Sequence, residues 1–480
     1  MLTCLTFDLP NAEATDRLAR LFAHALGAGD ALLLSGPIGA GKSHLARALI
    51  RERLGNPAED VPSPSFTLVQ TYPADPTIWH ADLYRLTHPD EVLELGLEEA
   101  FRSAIALVEW PDRLGAEAPE DAVTVTLSVA GEGRRAVVQV PGRPALAAAL
   151  RAVAGADFVQ RCGWGEAARR PMAGDASGRR LERLTLGSRT AVLLDNPPGL
   201  PDRLEDFLRM DRHLRQIGLS APEVMAEDLA NGFVLMEDFG DMLFARRLAD
   251  APDAEADLYR LATDVLIKMQ AHAAPPGLPD QSAEAWADAA MLCVTEYRLG
   301  VTGDLADPAP LKMALTEAIH RLADGPRVLI HRDFFAGNLL LLPRGGLRRA
   351  GLIDFQLGQM GQPVYDLVSL LQDARRDVSP AVAAEMIARF KAEKGDAGFD
   401  AAYAVWGVQR ALRILGVFAR LCRSEGRAEY LPHLPRVMRD LRRNLHHPEL
   451  AALKRLCDCL LPDPDPEALE TLRAQCGTFR

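Results

Sequence analysis

A chain of 480 residues exceeds what one hydrophobic core usually organises, so two or three domains are expected. Its hydrophobic fraction of 48% and charged fraction of 25% are those of an ordinary soluble globular protein. No run of about 20 apolar residues is present to span a bilayer, and a net charge of −12 argues against broad, non-specific binding to nucleic acid.

The opening "MLTCLTFDLP" lacks the basic segment and long apolar core of a secretory signal. Seven cysteines are scattered through the chain, and only Cys457 and Cys459 stand close together. Zinc sites space their cysteines by roughly two to four residues and need four ligands, so the expectation is reduced thiols in a cytoplasmic protein. Lysine is rare, with six in the whole chain and none between Lys42 and Lys268. Each lysine, present or absent, is therefore informative.

The first predicted unit is "ALLLSGPIGAGKSHLARALIRERLG", an apolar strand, a glycine-rich turn and an amphipathic helix. That context makes Gly-x-x-x-x-Gly-Lys-Ser credible as a phosphate-binding loop. Gly36, Gly39 and Gly41, with Ala40 between the last two, let the backbone curl with its N–H groups inward to bind ATP. Lys42 is expected to reach the β- and γ-phosphates, and the Ser43 hydroxyl to hold Mg²⁺.

Three further segments narrow the reaction. "VPSPSFTLVQTY" (61–72) suits a loop entering a strand, and "IWHADLYRL" (78–86) alternates like a strand with His80 and Asp82 on one side. "AIALVEWP" (104–111) is an apolar strand ending in Glu109, the usual place for a carboxylate facing a metal or water. Asp82 also fits a turn cap, and Trp110 fits packing better than catalysis. "VTVTLSVAGEGRRAVVQVPG" (123–142) reads as a hairpin closed by Gly-Glu-Gly.

Four motifs in order, the P-loop, Ser63-Pro64-Ser65-Phe66, His80 to Leu86, and Glu109-Trp110-Pro111, make residues 1 to about 150 resemble the TsaE (YjeE) family. These are the small ATPases of bacterial threonylcarbamoyladenosine tRNA modification. The resemblance implies an α/β P-loop NTPase fold over residues 1–152, with Ser43, Asp82 and Glu109 around metal and hydrolytic water. It implies a switch-like segment at Ser65, Phe66 and Thr67, and partners resembling TsaB and TsaD. The family usually has Thr where this chain has Ser43, which keeps the hydroxyl.

An alanine-rich helix then leads to a boundary placed near residue 153, at "VAGAD", and no charged or low-complexity tract intervenes. In the second half, "HRDFFAGNLLL" (331–341) is followed by "AGLIDFQLGQMGQPVYDLVSLL" (350–371), a strand ending in Asp354 and a helix start bearing Asp366. This is the spacing of a kinase catalytic loop. Asp333 accepts the hydroxyl proton or orients the hydroxyl, and Asn338 and Asp354 hold Mg²⁺ against the phosphates. His331 and Asp366 are expected to buttress the loop.

Upstream, "MAGDASGRRLERLTLGSRTAVLLDNPP" (172–198) offers a turn between apolar stretches, like a phosphate-covering hairpin, with Ser177 in the turn. "FVLMEDFGD" (233–241) runs into Glu237 and Asp238, where an adenine-binding hinge is expected. No lysine follows the hairpin, so either an arginine such as Arg180 or Arg189 substitutes, or Mg²⁺ and backbone contacts suffice. Farther on, "AAYAVWGVQRALRILGVFARLCRS" (401–424) is expected as a core helix in which Tyr403 and Trp406 pack, a sugar-stacking face being the alternative. Arg375 and Arg376 suit an acidic substrate or a solvated helix face.

Residues from about 155 to the end resemble the aminoglycoside phosphotransferase superfamily, and within it the AmgK-type anomeric kinases of N-acetylmuramate and N-acetylglucosamine. The residues carrying this are Gly174-Asp175-Ala176-Ser177, Arg179-Arg180, Leu194-Asp195 before Pro197-Pro198, Glu237 to Asp241, and the block from Ile353 to Asp377. Gly178 stands where such sequences usually have an aromatic residue. The resemblance implies an α+β protein-kinase-like two-lobed domain over 153–480, with a small lobe at about 153–240 and a large lobe at about 241–480. The resulting expectation is a bifunctional cytoplasmic ATPase and sugar kinase using ATP and Mg²⁺. The alternatives are a kinase half acting on choline, homoserine or an aminoglycoside, or serving as a silent scaffold, and an N-terminal half that is mainly a nucleotide-dependent assembly module.

Overall fold

A computed structural model describes residues 2–86, 90–172, 178–395 and 397–478. The chain divides into two compact units, one of Met1–Pro201 with Val224–Met236, the other of Asp202–Glu223 with Glu237–Arg480.

In the first unit, seven strands form one sheet: β1 (Leu2–Leu9), β2 (Ala31–Ser35), β3 (Val69–Tyr72), β4 (Ile78–Asp82), β5 (Ile105–Glu109), β6 (Val123–Ala130) and β7 (Gly133–Pro141). Their order is β1-β7-β6-β2-β5-β4-β3. β2 runs parallel to β5 and β6, and β5 parallel to β4. The central strands read as unbroken apolar runs because both faces are covered. Leu32, Leu34, Ile105 and Leu107 enter a core with helices α1 (Ala12–Ala25) and α2 (Lys42–Leu54). Their neighbours Ala31, Leu33, Ala106 and Val108 enter a second core with Leu97 and Ala100. The hairpin expected over 123–142 is β6–β7.

The same unit holds a five-stranded sheet of β8 (Ala168–Pro171), β9 (Arg180–Leu186), β10 (Arg189–Asp195), β11 (Val224–Asp228) and β12 (Phe233–Glu237), in the order β11-β12-β10-β9-β8. Its Leu184, Ala191, Leu193, Phe233 and Leu235 belong to the core that also contains Leu5, Phe22 and Leu49. Helix α3 (Pro144–Arg161) contributes Leu150, Ala154 and Phe158 to that core, and Phe158 stacks on Phe233 at 5.8 Å. Residue 152 lies inside this helix. Asn231, between β11 and β12, accepts from the Thr6 N–H at 2.8 Å and donates to the Thr6 carbonyl at 2.8 Å. Its side-chain amide thus pairs the free edge of β1 as a neighbouring strand's peptide would. Arg151 on α3, 7% exposed, pairs with Asp195 at the end of β10.

The second unit is largely helical around two short ribbons, β13 (Val328–Ile330) with β16 (Gln359–Gly361), and β14 (Leu339–Leu341) with β15 (Ala350–Leu352). Its helices include α4 (Leu204–Gln216), α5 (Ala283–Ala290), α6 (Val364–Leu371) and α7 (Phe399–Glu425). The last is the helix expected over 401–424. Trp406 is fully buried against Trp286 and Tyr365, with ring centres 5.2 and 5.4 Å away, so its ring packs and is not open to a sugar. Tyr403 stacks on Phe399 at 6.2 Å. All seven cysteines are free. No described helix is long and apolar enough to cross a membrane.

Gly416 on α7 marks a close crossing, because a Cβ there would lie 2.2 Å from the Leu292 carbonyl carbon and 2.3 Å from its Cβ. Both neighbours are rigid, so Gly416→Ala forces the two segments apart. The expected result is a fall of about 4–8 °C in the unfolding temperature of this unit, read by calorimetry.

Candidate functional site

In the first unit the expected residues meet at the C-terminal ends of three adjacent parallel strands, where open α/β sheets bind ligands. The glycine loop follows β2, Asp82 ends β4, and Glu109 ends β5 directly opposite Asp82 in register. Gly36, Gly39 and Gly41 all take positive φ, at 137°, 78° and 105°. At Gly36 the demand is also steric, since a Cβ would stand 2.2 Å from the Leu127 carbonyl oxygen. Ala40 is buried beneath the loop.

Ser43 donates its hydroxyl to Glu109 at 2.9 Å, and His80 bonds the other Glu109 oxygen at 3.0 Å. Asp82 accepts from the hydroxyls of Ser63 at 2.7 Å and Ser65 at 2.8 Å, and from the Tyr84 N–H at 3.2 Å. It therefore caps a turn and also ties the serine segment to the strand ends. Phe66, next along, is 88% exposed, with the Arg85 guanidinium 5.4 Å from its ring.

Lys42 donates to the Gly36 and Pro37 carbonyls at 2.7 and 3.1 Å, and its ammonium lies 3.9 Å from the centre of the Trp110 ring. Burial lowers its pKa, opposed by Glu109, Asp82 and Asp112. Trp110 is thus more than filler. It adopts a left-handed backbone at φ 62°, leans on Tyr84 at 5.0 Å and covers the Lys42 ammonium. Sequence reasoning assigned it to packing; a bulky residue forced to positive φ is visible only in the fold. Beside the loop lies a cavity of about 270 Å³ lined by Asn11, Thr15, Gly41, His44, Leu127 and Arg134. Arg134 also donates to the Gly39 carbonyl at 3.1 Å. Of these lining residues only Gly41 carried a sequence signal.

Of the residues expected to cover ATP in the other half, Arg180 opens β9 in an exposed position, while Ser177 lies outside the described residues. Arg189 opens β10 with its guanidinium 4.7 Å from the Trp164 ring centre. In the second unit, Glu237 is engaged by the Arg344 guanidinium, and its backbone N–H donates to the Glu223 carbonyl at 2.8 Å.

The kinase-type loop is built between β13 and β14. Asp366, fully buried at the start of α6, accepts the His331 N–H at 2.6 Å and the Arg332 N–H at 2.9 Å. Burial raises its carboxyl to about 7, in spite of those two donors. The His331 ring is buried and bonds the Ile353 carbonyl at 3.1 Å. Both residues buttress the loop, as the sequence reading expects. Asn338 donates to the Asp333 backbone carbonyl at 2.9 Å and approaches an Asp354 carboxylate oxygen at 3.4 Å. Asp354 sits at φ 62° and receives the Gln356 amide at 2.8 Å. So Asp333, Asn338 and Asp354 are brought together, and Asp354 is aimed by a strained backbone.

Burial alone would raise the Asp333 carboxyl, but Arg410, Arg413, Arg332 and His331 outweigh it and hold it below its ordinary range. Such a group is ionised at neutral pH and a weak base, which suits orienting a hydroxyl more than removing its proton early. Arg376 is committed to Glu255 at 2.6 Å, and Arg375 lies among Phe335, Phe418 and Tyr430 at 4.7 to 5.9 Å.

Two ATP-using devices of unrelated design, one made of backbone amides and one of side chains, define a chain with ATPase and phosphotransferase sites. Comparison gives the families. Residues 9–137 match the threonylcarbamoyl adenosine biosynthesis protein TsaE family, and residues 168–405 match the phosphotransferase enzyme family. The N-acetylmuramate/N-acetylglucosamine kinase of Caulobacter vibrioides is 34% identical over 358 residues, covering 65% of this chain and 97% of that protein. The kinase of the same name from Pseudomonas aeruginosa is 31% identical over 310 residues, covering 61% and 90%. The tRNA threonylcarbamoyladenosine biosynthesis protein TsaE of Rickettsia felis is 40% identical over 128 residues, covering 26% and 74%. The chain belongs to both families: it is a TsaE-family ATPase joined to an AmgK-like phosphotransferase, and the bifunctional reading stands over the alternatives.

Proposed function

We propose that residues 1–152 serve as the ATPase of tRNA threonylcarbamoyladenosine synthesis, and that residues 153–480 transfer the γ-phosphoryl of ATP to the anomeric hydroxyl of N-acetylmuramate or N-acetylglucosamine, both in the cytoplasm. The observation that carries it is the joining of Asp333, Asn338 and Asp354 through one asparagine amide, alongside a separate Ser43–Glu109 pair at the foot of a P-loop.

Mg²⁺ fits both places. Its preference is for one or two hard oxygen ligands from the protein, with phosphates and water supplying the rest. Asn338 turns its amide nitrogen toward Asp333, which leaves its carbonyl oxygen and the Asp354 carboxylate as such donors; Ser43 and Glu109 are the equivalent pair in the first unit. Among the described residues no cluster of three or more His, Cys, Asp or Glu could hold a metal alone. When bound, Mg²⁺ neutralises charge on the phosphates. Asp333 orients the acceptor hydroxyl, Asp82 tethers the Ser63–Ser65 segment that answers to the nucleotide, and the cavity lined by Asn11, Thr15 and His44 takes the base.

Lys42 rests on carbonyls of its own loop and must leave them to meet a phosphate. We therefore expect slow hydrolysis by the isolated protein that rises with TsaB- and TsaD-like partners. Incubating the full chain with ATP, Mg²⁺ and a panel of amino sugars, and identifying the product by mass spectrometry, tests the kinase reading. A 1-phosphate of an N-acetyl sugar is the expected product; transfer only to choline, homoserine or an aminoglycoside would refute it.

A further inference from the structure

The loop that carries Asp333 and Asn338 is gripped at both ends by one stretch of chain. At its entry, Asp366 at the start of α6 takes the His331 and Arg332 N–H groups. Toward its exit the grip is aromatic. The Phe335 ring folds back over the chain at Gly337, where a Cβ would stand 2.5 Å from the ring edge. The Phe335 carbonyl accepts the Asn338 N–H at 2.9 Å. Whatever fixes Phe335 therefore fixes the peptide from which the Asn338 side chain projects.

Arg375, just beyond the end of α6, meets that ring with its guanidinium 4.7 Å from the centre. The same guanidinium lies 5.9 Å from the Phe418 ring of α7 and 5.8 Å from that of Tyr430, in the 3₁₀ turn Ala428–His433. Phe418 and Tyr430 lean on each other at 4.9 Å, and Arg427 donates to the Tyr430 hydroxyl at 2.7 Å. These two rings are thus fixed to the helical body, and Arg375 bridges them to Phe335. Among the described residues the Arg375 side chain has no hydrogen bond or ion pair, whereas Arg376 beside it is tied to Glu255. Its backbone N–H is anchored by the buried Asp373 carboxylate at 2.9 Å. A guanidinium held by ring faces still exerts a directed pull, because each face presents the negative part of a quadrupole.

We propose that Arg375 is a positioning residue for phosphoryl transfer: stacked on Phe335, it holds the loop exit so that the Asn338 amide stays between the Asp333 carbonyl and the Asp354 carboxylate. This rests on the reading of Asp333, Asn338 and Asp354 as the transfer site. Arg375 acts through a ring and not on the sugar. The approach of Asn338 to Asp354 is long at 3.4 Å, so a small shift of the loop opens it. Misplacement by about 1 Å can lower a rate about 10²-fold.

Arg375→Leu keeps an apolar stem and removes the cation. On the full chain it is expected to lower kcat for sugar phosphorylation about two- to thirtyfold, the range set by a cation–π contact. The KM for the sugar should stay near its original value, and the Mg²⁺ concentration giving half the maximal rate should rise. Arg375→Lys, which keeps a cation over the ring, should recover part of the loss. Phe335→Leu should lower kcat by a similar factor, and the double variant should be no worse than the worse single one. Hydrogen–deuterium exchange reads the clamp without any substrate: the peptide spanning 331–341 should exchange faster in Arg375→Leu than in the unmodified chain. Losses that add in full in the double variant would mean that Arg375 touches the substrate directly, and would overturn the proposal. Unchanged exchange over 331–341, or a raised KM for the sugar with kcat intact, would overturn it too. If the unmodified chain phosphorylates neither N-acetyl sugar, the sugar-kinase reading falls, and the exchange result still decides the clamp.

Discussion

Replacing Asp333 by Asn is expected to lower sugar phosphorylation about 10²- to 10⁴-fold in kcat, while ATP hydrolysis at the P-loop stays at its original rate. The variant is close to isosteric, and the loop does not depend on the carboxylate for its shape. Asn338 holds the Asp333 backbone carbonyl, and Asp366 holds the N–H groups of His331 and Arg332. What is lost is a negative charge that Arg410, Arg413 and Arg332 help to keep ionised against burial. The same arginines add a second consequence. Removing the carboxylate leaves three guanidinium groups less compensated, so the second unit should also lose some thermal stability. Product formation followed by mass spectrometry, with unfolding followed in parallel, separates the two. A rate loss below tenfold in a folded variant would mean that some other group positions the hydroxyl.

The kinase-type loop was legible because its pattern is local. Three side chains at fixed spacing, a strand and an acidic strand end suffice to write Asp333, Asn338 and Asp354 from the sequence, and the P-loop is still more compact. The buttressing by His331 and Asp366 was also legible, since it crosses only the next ribbon. Other parts were not. The lid of Trp110 over Lys42 depends on a backbone conformation that no tryptophan advertises. The clamp of Asn231 on Thr6 joins residues 225 apart, and neither residue type signals a partner. For the same reason, the continuation of one core from Leu5 through Leu49 to Leu235 could not be read from a chain whose motifs suggest a joint near residue 153. The arginines were the subtlest case. Arg375 and Arg376 stood out as a pair, but the fold commits them to rings and to Glu255, while the buried Nε atoms of Arg332 and Arg410 lack a partner. The sequence shows that arginine replaces lysine almost everywhere; only packing tells which guanidinium groups lack a counter-ion.

Lys42→Ala is the complementary experiment, and it should silence the other reaction. The ammonium lies 2.7 and 3.1 Å from two carbonyls of its own loop and beneath an indole, so it is held close to where phosphate oxygens must arrive. Once it has left those carbonyls it is a charged donor to the phosphates, and losing such a donor costs about 10²- to 10³-fold in turnover. Hydrolysis, with or without partner proteins, should therefore fall by that factor, and nucleotide affinity of the first unit should fall with it. The fold should survive, because alanine removes a buried cation whose desolvation already lowers its pKa, and Trp110 keeps its contact with Tyr84. Sugar phosphorylation should be unchanged, since Asn338 bonds the Asp333 carbonyl and Asp354, and Asp354 receives Gln356, all within the second unit. Yet the five-stranded sheet shares its core with the P-loop sheet, so this expectation is a stringent one. A fall in sugar phosphorylation in a folded Lys42→Ala protein would mean that nucleotide at the first site is felt through that core, and the two reactions would then have to be treated as coupled.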